Sequence, residues 1–253
     1  MMRPVRRLVM TLVVFNLAGV AKVESQSAPG AGIFALQTML GDKSAQIRIK
    51  AAEGLGRVGG RQAVIILRRG LGDKDTEVRV AVIEALGFVG GRVALTVLSE
   101  ALKDKIPEVR KRAVEALKDA GTISGIPIIQ KAFGDKEEGV RLHAALMLRQ
   151  IGHRSGVPIL GRVALNDNSA AVRAAATKYL GKIGVKDPRS VGILAQVLED
   201  REPAVRIKAV ESLGFLQIAA AAKILERALA DRDAGVRLRA TEVMGHVLAK
   251  DFE

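Results

Sequence analysis

The feature that most constrains this chain is a phrase that it writes seven times. Residues 42–60 read DKSAQIRIKAAEGLGRVGG, residues 73–91 read DKDTEVRVAVIEALGFVGG, and residues 200–214 read DREPAVRIKAVESLG. Aligned on the recurrent aspartate, the units start at Asp42, Asp73, Asp104, Asp135, Asp167, Asp200 and Asp231, in steps of 31, 31, 31, 32, 33 and 31 residues. Six residues after each aspartate stands an arginine: Arg48, Arg79, Arg110, Arg141, Arg173, Arg206 and Arg237. Ile47 or a valine precedes it, and seven residues beyond it comes Leu55, Leu86, Leu117, Leu148, Leu180, Leu213 or Met244. Self-similarity at a period of this size means stacked units, each burying its apolar face against the next.

Every unit has room for two helices. In the second unit the small or apolar residues fall at Val78, Val82, Ala85, Leu86 and Val89, a spacing of three and four that makes one helical stripe. Asp75 is placed to cap that helix, as are Ser44, Ser169 and Asp233 in sister units. Pro107 and Pro203 take the next position, where a missing N–H costs nothing. Gly59-Gly60, Gly90-Gly91, Gly121, Gly152 and Gly184 follow, and predict a left-handed helix stop. Aliphatic runs then give a further helix at 62–71, 93–102, 157–165, 191–198 and 219–229. No segment alternates with period two, so no sheet is expected. Hydrophobic residues make up 49% of the chain but aromatics only 3%, with no Trp, so the core must be built from Ala, Val, Leu and Ile. The absence of cysteine excludes disulfides, zinc–thiolate sites and thiol nucleophiles.

The pattern D-x-x-x-x-V-R-x-x-A-x-x-x-L-G resembles the HEAT-like repeat, in the short form also found in phycobilisome lyases, and the resemblance covers residues 28–250. It implies an all-α fold: a right-handed α-solenoid of about seven two-helix units, here assigned to residues 30–253. The ankyrin T-P-L-H signature and the tetratricopeptide Trp/Tyr pattern are both missing. Repeat three departs from the pattern at Lys118-Asp119-Ala120, and residues 185–188 are expected to lengthen one loop without breaking the stack.

An Asp and an Arg in every unit tempt a catalytic reading, but chemistry needs one site rather than seven. The resemblance implies a ladder in which the arginine of one unit bonds the aspartate of a neighbour. A carboxylate beside a helix N-terminus is favoured by the exposed N–H groups, and a guanidinium has the fork geometry to bridge two units.

The resemblance also implies that the arginine-bearing helices line a concave surface, where side chains repeat in columns. Lys50, Ala81, Arg112, His143, Ala175, Lys208 and Arg239 form one, and Glu53, Glu84, Glu115, Leu146, Lys178, Glu211 and Glu242 a second. The third, Arg57, Phe88, Asp119, Gln150, Lys182, Phe215 and His246, varies most and is the natural seat of specificity. The candidate partner-binding residues are therefore Lys50, Glu53, Arg57, Glu84, Phe88, Arg112, His143, Lys178, Lys208, Phe215, Arg239 and His246. Spacing pairs Lys50 with Glu53, Arg112 with Glu115, Lys208 with Glu211 and Arg239 with Glu242, which an ordinary solvated helix also does. Positive charge collects at Lys43, Lys74, Lys105, Lys136, Arg201 and Arg232, beside the repeated aspartates, where Asp75, Glu137, Glu202 and Asp233 blunt it. That stripe reads first as a solvated edge, second as an anionic docking surface.

At the N-terminus, Arg3, Arg6 and Arg7 precede an apolar run from Leu8 to Ala21. Residues 1–21 read as a signal peptide, with cleavage after Gly19-Val20-Ala21, and residues 22–29 as a flexible lead-in. The alternative is an uncleaved membrane anchor, for which the run is short and is interrupted by Asn16. The expected location is the periplasm or cell envelope, with no membrane span after processing. The formal net charge of +13 raises nucleic acid as a partner, but the mixed-sign concave face, the lack of stacking aromatics and the expected export stand against it. His143, His153 and His246 have no metal-ligand spacing and no His-Glu pair occurs, which counts against the iron-dependent hydroxylase built on HEAT-like units. The leading expectation is a monomeric, non-enzymatic scaffold that binds a protein or peptide, with no cofactor. A nucleic-acid binder and a lyase or chaperone subunit resembling phycobilisome lyases remain as alternatives.

Overall fold

The computed structural model describes residues 31–250 apart from 186, 217 and 218, so the signal-peptide and lead-in assignments lie outside the described residues. Two layers of helix alternate along the chain. The arginine-bearing helices are α2 (Ala45–Val58), α4 (Thr76–Val89), α6 (Pro107–Gly121), α8 (Glu138–Ile151), α10 (Ala170–Ile183), α12 (Pro203–Leu216) and α14 (Ala234–Lys250). The other layer holds α1 (Ala31–Met39), α3 (Gly60–Gly70), α5 (Gly91–Ala101), α7 (Ile126–Ile129), α9 (Val157–Asn166), α11 (Arg189–Val197) and α13 (Ala219–Ala228). There is no strand among the described residues, and the chain is an all-α solenoid.

Each boundary has a local cause. The Asp75 carboxylate accepts from the Glu77 and Val78 amides, Ser169 Oγ from the Val172 amide, and Asp233 from the Val236 amide. Ser44 occupies its cap position without making that bond. Pro107 and Pro203 open α6 and α12. The glycine stops differ from the left-handed form expected of them. Gly59 (φ 67°, ψ −166°) and Gly90 (φ 65°, ψ −167°) lie in a region essentially reserved for glycine, and only Gly152 (φ 66°, ψ 11°) is left-handed. Gly121 and Gly184 have negative φ, because there the chain runs on into irregular turns instead of reversing at once.

One unit is irregular. Between α6 and α8 the outer layer is reduced to a 3₁₀ turn, the four-residue α7 and a second 3₁₀ turn over Gln130–Gly134. The loop before α11 is closed locally, the Asp187 amide donating to Gly184 and the Ser190 amide to Asp187, and α11 still packs on α9 and α12.

The core is a continuous aliphatic seam in which Leu55, Leu86, Leu117, Leu148 and Leu180 are all fully buried between the layers. Each such leucine contributes about 1.5–3 kcal/mol of transfer free energy. Neighbouring ladder helices pack against each other along their length, whereas outer helices touch their own neighbours sparingly, so the ladder helices form the tighter layer. The residue after the ladder leucine sets their approach. A Cβ on Gly56 would lie 3.0 Å from Ala85 Cβ, one on Gly87 3.1 Å from Ala116 Cβ, and one on Gly181 2.5 Å from Ser212 Cβ. In two central units that position is Lys118 and Arg149, and the α6–α8 and α8–α10 contacts are less extensive than α2–α4, α4–α6 or α10–α12.

Six ion pairs stitch the units. Arg48 reaches Asp73, Arg79 reaches Asp104, Arg110 reaches Asp135, Arg141 reaches Asp167, Arg173 reaches Asp200 and Arg206 reaches Asp231. Every pair is a fork, with Nε to Oδ2 at 2.5–2.8 Å and Nη2 to Oδ1 at 2.7–3.2 Å. Nη1 turns back to the carbonyl of its own unit's aspartate, as in Arg141 to Asp135 at 3.0 Å. Each aspartate Oδ1 also accepts the amide two residues on, so one carboxylate fixes a turn and receives the previous unit. At the ends, Asp42 holds only its own turn and Arg237 donates only to backbone carbonyls of its own unit, among the described residues.

Candidate functional site

The three side-chain columns lie on the surface of the ladder helices except at Ala81, which is buried in the core, and they divide into two flanks and a centre. On the N-terminal flank Lys50 pairs with Glu53 at 3.0 Å, and Arg112 lies 3.3 Å from Glu115 and 3.8 Å from Glu84 on the preceding ladder helix. On the C-terminal flank Lys208 meets Glu211 at 2.8 Å, and Arg239 joins Glu211 at 2.7 Å to Glu242 at 2.9 Å. Burial alone would raise the Glu211 carboxyl, but the hydrogen bonds and charges of Lys208 and Arg239 hold it below the usual carboxylate range. Both flanks therefore present charges already matched to one another.

The centre breaks that pattern. His143, Leu146 and Gln150 on α8 face Ala175, Lys178 and Lys182 on α10, with no carboxylate among them. His143 is half buried, its Nε2 has no hydrogen-bond partner, and burial pushes its pKa below the ordinary histidine value. Burial is the largest influence, while Glu115 and Glu108 on α6 raise that pKa and Lys111 and Arg112 lower it. A neutral imidazole with one unsatisfied nitrogen is the most unspent polar group on this face. Arg149 and Tyr179 also belong here, the guanidinium 5.8 Å from the ring centre, and sequence reading passes over both. The signal was the substitution of Arg149 for the glycine that most units carry after the ladder leucine.

A cleft lies on the face between α4 and α6. Glu84, Phe88, Arg112, Glu115 and Asp119 line a volume of about 340 Å³, floored by Gly87 and Ala116 where the two helices touch. Phe88 stands 76% exposed at its rim, the most exposed of the large apolar side chains among the described residues. Its counterpart Phe215 is 51% exposed and lies under the Lys182 ammonium, 4.2 Å from its centroid. Arg57 and His246 are exposed at opposite ends of the face and meet neither the cleft nor the His143 region. The candidates thus do not converge on one point.

Along the ladder edge, further acids stand near the basic stripe without forming ion pairs to it. Glu77, Glu108 and Glu138 stand in the first turns of α4, α6 and α8, and Glu100 and Glu199 pair with Arg68 and Arg227 across outer helices. Lys43, Lys74, Lys105, Lys136, Arg201 and Arg232 are all exposed and form no ion pair among the described residues, and Lys103 and Lys131 join Lys105 and Lys136 around one hollow of that edge. Among the described residues no three His, Asp or Glu side chains come within reach of one metal ion, and no helix is long and apolar enough to cross a membrane.

A family model described as HEAT repeats matches the chain at residues 34–118, 95–181, 125–196 and 157–245. No curated protein matches it at the sequence level. Among solved structures it is similar to human deoxyhypusine hydroxylase in complex with glycerol, at 22% identity over 91% of this chain and 90% of that one, with a TM-score of 0.42. It is also similar to the CpcE–CpcF complex of phycocyanin lyase from Nostoc, at 21% identity over 88% and 95%, with a TM-score of 0.45. An engineered protein is similar at 19% identity over 86% and 68%, with a TM-score of 0.47.

Proposed function

The chain belongs to the HEAT-repeat family, and from that premise we propose that it is a non-enzymatic scaffold whose ladder-helix face holds a protein or peptide. One observation carries the reading: on a flank whose charges are already paired, Phe88 stands exposed beside a cleft lined by Glu84, Arg112, Glu115 and Asp119, with nothing among the described residues to cover it. Exposed aromatics next to a pocket are the usual anchors of protein recognition. Glu84, Glu115 and Asp119 around it suit a basic or amide-rich segment of the partner. The non-enzymatic reading is supported by the paired state of these carboxylates, since Glu84 and Glu115 share Arg112 and Asp119 is held by Lys118 at 2.9 Å. A carboxylate held this way is a poor general base.

The proposal includes export to the cell envelope, supported by Arg3, Arg6, Arg7 and the apolar run that follows. Cell fractionation with intact-mass measurement tests it, the expected product being an envelope protein that has lost residues 1–21. A cytoplasmic protein of full mass would refute it.

A photo-crosslinking side chain placed at position 88, with a control at exposed Thr96 on the outer layer, tests the binding face. The expected result is one discrete crosslinked species at 88 and not at 96, lost when Glu84 and Glu115 are changed to Lys. Equal labelling at the two positions, or a species indifferent to those changes, would overturn the assignment.

A further inference from the structure

We infer that the edge opposite the ladder, where ladder helices end and outer helices begin, is a docking surface for an anionic lipid bilayer. This goes beyond protein binding at the Phe88 cleft, although Arg57 and Lys182 belong to the third column of the ladder-helix face as well as to this edge. Arg57, Arg149 and Lys182 lie in the last turns of α2, α8 and α10, and Arg61, Arg92 and Arg154 lie at or just before the starts of α3, α5 and α9. All six are exposed, and none has a carboxylate partner among the described residues. The acids on this edge are Asp119, bonded to Lys118, and buried Asp187, bonded to Arg189. Six exposed cations on this edge are therefore left without an acid of their own among the described residues.

Stability does not explain that arrangement. Cations at the ends of ladder helices complement the helix dipole, but at the starts of outer helices they oppose it. Not one of α3, α5, α9 and α11 has an acid in its first turn. An anion outside the chain is what would satisfy Arg61, Arg92 and Arg154 together.

The apolar residues decide which anion. Val58, Val93, Ile123 and Val185 are 42–55% exposed on this edge, interleaved with the cations, and Phe88 and Phe215 border it. A phosphodiester backbone offers aliphatic side chains nothing to bury in, and strand binding calls for stacked aromatics. A bilayer surface offers both partners, phosphate for the guanidinium groups and the headgroup–acyl boundary for valine and isoleucine.

The test is co-sedimentation of the full chain with vesicles of phosphatidylcholine alone or mixed with phosphatidylglycerol. One variant carries Arg57→Glu, Arg61→Glu and Arg92→Glu. A control with the same charge change carries Lys43→Glu, Lys74→Glu and Lys105→Glu on the ladder edge. The wild type is expected to prefer the mixed vesicles, the first variant to lose about a hundredfold in partitioning, and the control to change little. Val58→Ser with Val93→Ser is expected to weaken vesicle binding while leaving any binding of duplex DNA unchanged. Circular dichroism of each variant confirms that the helices persist. Equal binding to both vesicle types would assign attachment to the N-terminal apolar run and overturn the proposal, as would equal losses in the two charge variants. Duplex DNA that displaces the chain from vesicles at equal phosphate concentration would make the edge a nucleic-acid surface instead.

Discussion

At the scale of single residues, the ladder pair is a partly buried charge whose worth lies mainly in the cost of breaking it. The Arg141 side chain is 12% exposed and the Asp167 side chain 6%, and the guanidinium also satisfies two carbonyls. Arg141→Ala leaves a carboxylate between two units with only its own turn to hold it, a loss of about 2–3 kcal/mol. That corresponds to a fall of roughly 4–12 °C in the thermal midpoint of a chain this size. Crosslinking at position 88 is expected to persist below the new midpoint, and its loss without destabilisation would make the arginine functional instead. The same pairs set a pH dependence. Burial works against ionisation of Asp73, Asp135 and Asp200, but the arginine hydrogen bonds, the turn amides and the neighbouring charges outweigh it and lower all three. In Asp231 the Arg206 hydrogen bonds are the largest influence and lower it outright. Folded values below the unfolded value of about 3.9 mean that this stability is complete well above that pH and is lost as acid titrates the lowered groups. Thermal unfolding is expected to hold steady from about pH 7 to 5 and to fall steeply below about pH 4. A midpoint flat through that range would show that the rungs contribute nothing.

At the scale of elements, glycine sets how closely the ladder helices approach. Gly181→Ala would drive a Cβ to 2.5 Å from Ser212 Cβ and 2.7 Å from its hydroxyl, so α10 and α12 must separate, at about 1–3 kcal/mol. Gly192→Ala, within α11, meets nothing within 4 Å and is expected to stabilise by about 0.4–1 kcal/mol through helix propensity alone. Urea unfolding of the two variants checks the contrast, and matching effects would remove the packing explanation. Much of this layer was legible in the sequence, because Asp, Arg and Leu at fixed offsets leave a ladder helix little choice of register. The outer layer was less legible. Ile126–Ile129 has apolar residues enough for a helix, yet it forms one short turn between 3₁₀ segments, whereas α9 opens with the same Gly-x-Pro and runs ten residues, so the local sequence does not announce the break. The backbone of Gly59 and Gly90 was hidden too, since a glycine pair announces a turn without saying which positive-φ region it uses. The cationic edge escaped for a different reason. Its charges come from helix ends and starts far apart in sequence, and only the stacking brings Arg57, Arg92 and Arg154 into one row. The ladder-helix face was readable as columns, but the exposure of Phe88 and the unpartnered nitrogen of His143 depend on how the neighbouring helices lie.

At the scale of the molecule, a solenoid holds together only through nearest neighbours, so its cooperativity is that of its weakest interface. That interface is central. Lys118 and Arg149 replace the glycine that lets ladder helices close up, the α6–α8 and α8–α10 contacts are reduced, and the outer helix between α6 and α8 is broken. Partial compensation is visible, since Lys118 Nζ donates to Gln150 at 3.4 Å and Arg149 lies over Tyr179, but both contacts are at the surface. The rungs Arg110–Asp135 and Arg141–Asp167 cross the same region and keep the halves in register. Removing Arg141 should therefore do more than lower stability. It should uncouple α2–α6 from α10–α14, while the matched change Arg79→Ala, between closely packed helices, should leave one transition. Hydrogen exchange across a urea series reads this directly, through the midpoints of amides in α4 and α12. With Arg141→Ala those midpoints are expected to separate, and with Arg79→Ala to move together. Coincident midpoints in both variants would mean that the centre is as tightly coupled as the flanks. Separation in the first variant alone would identify the centre of the stack as its hinge, next to the half-buried His143 and between the two charge-paired flanks of the binding face.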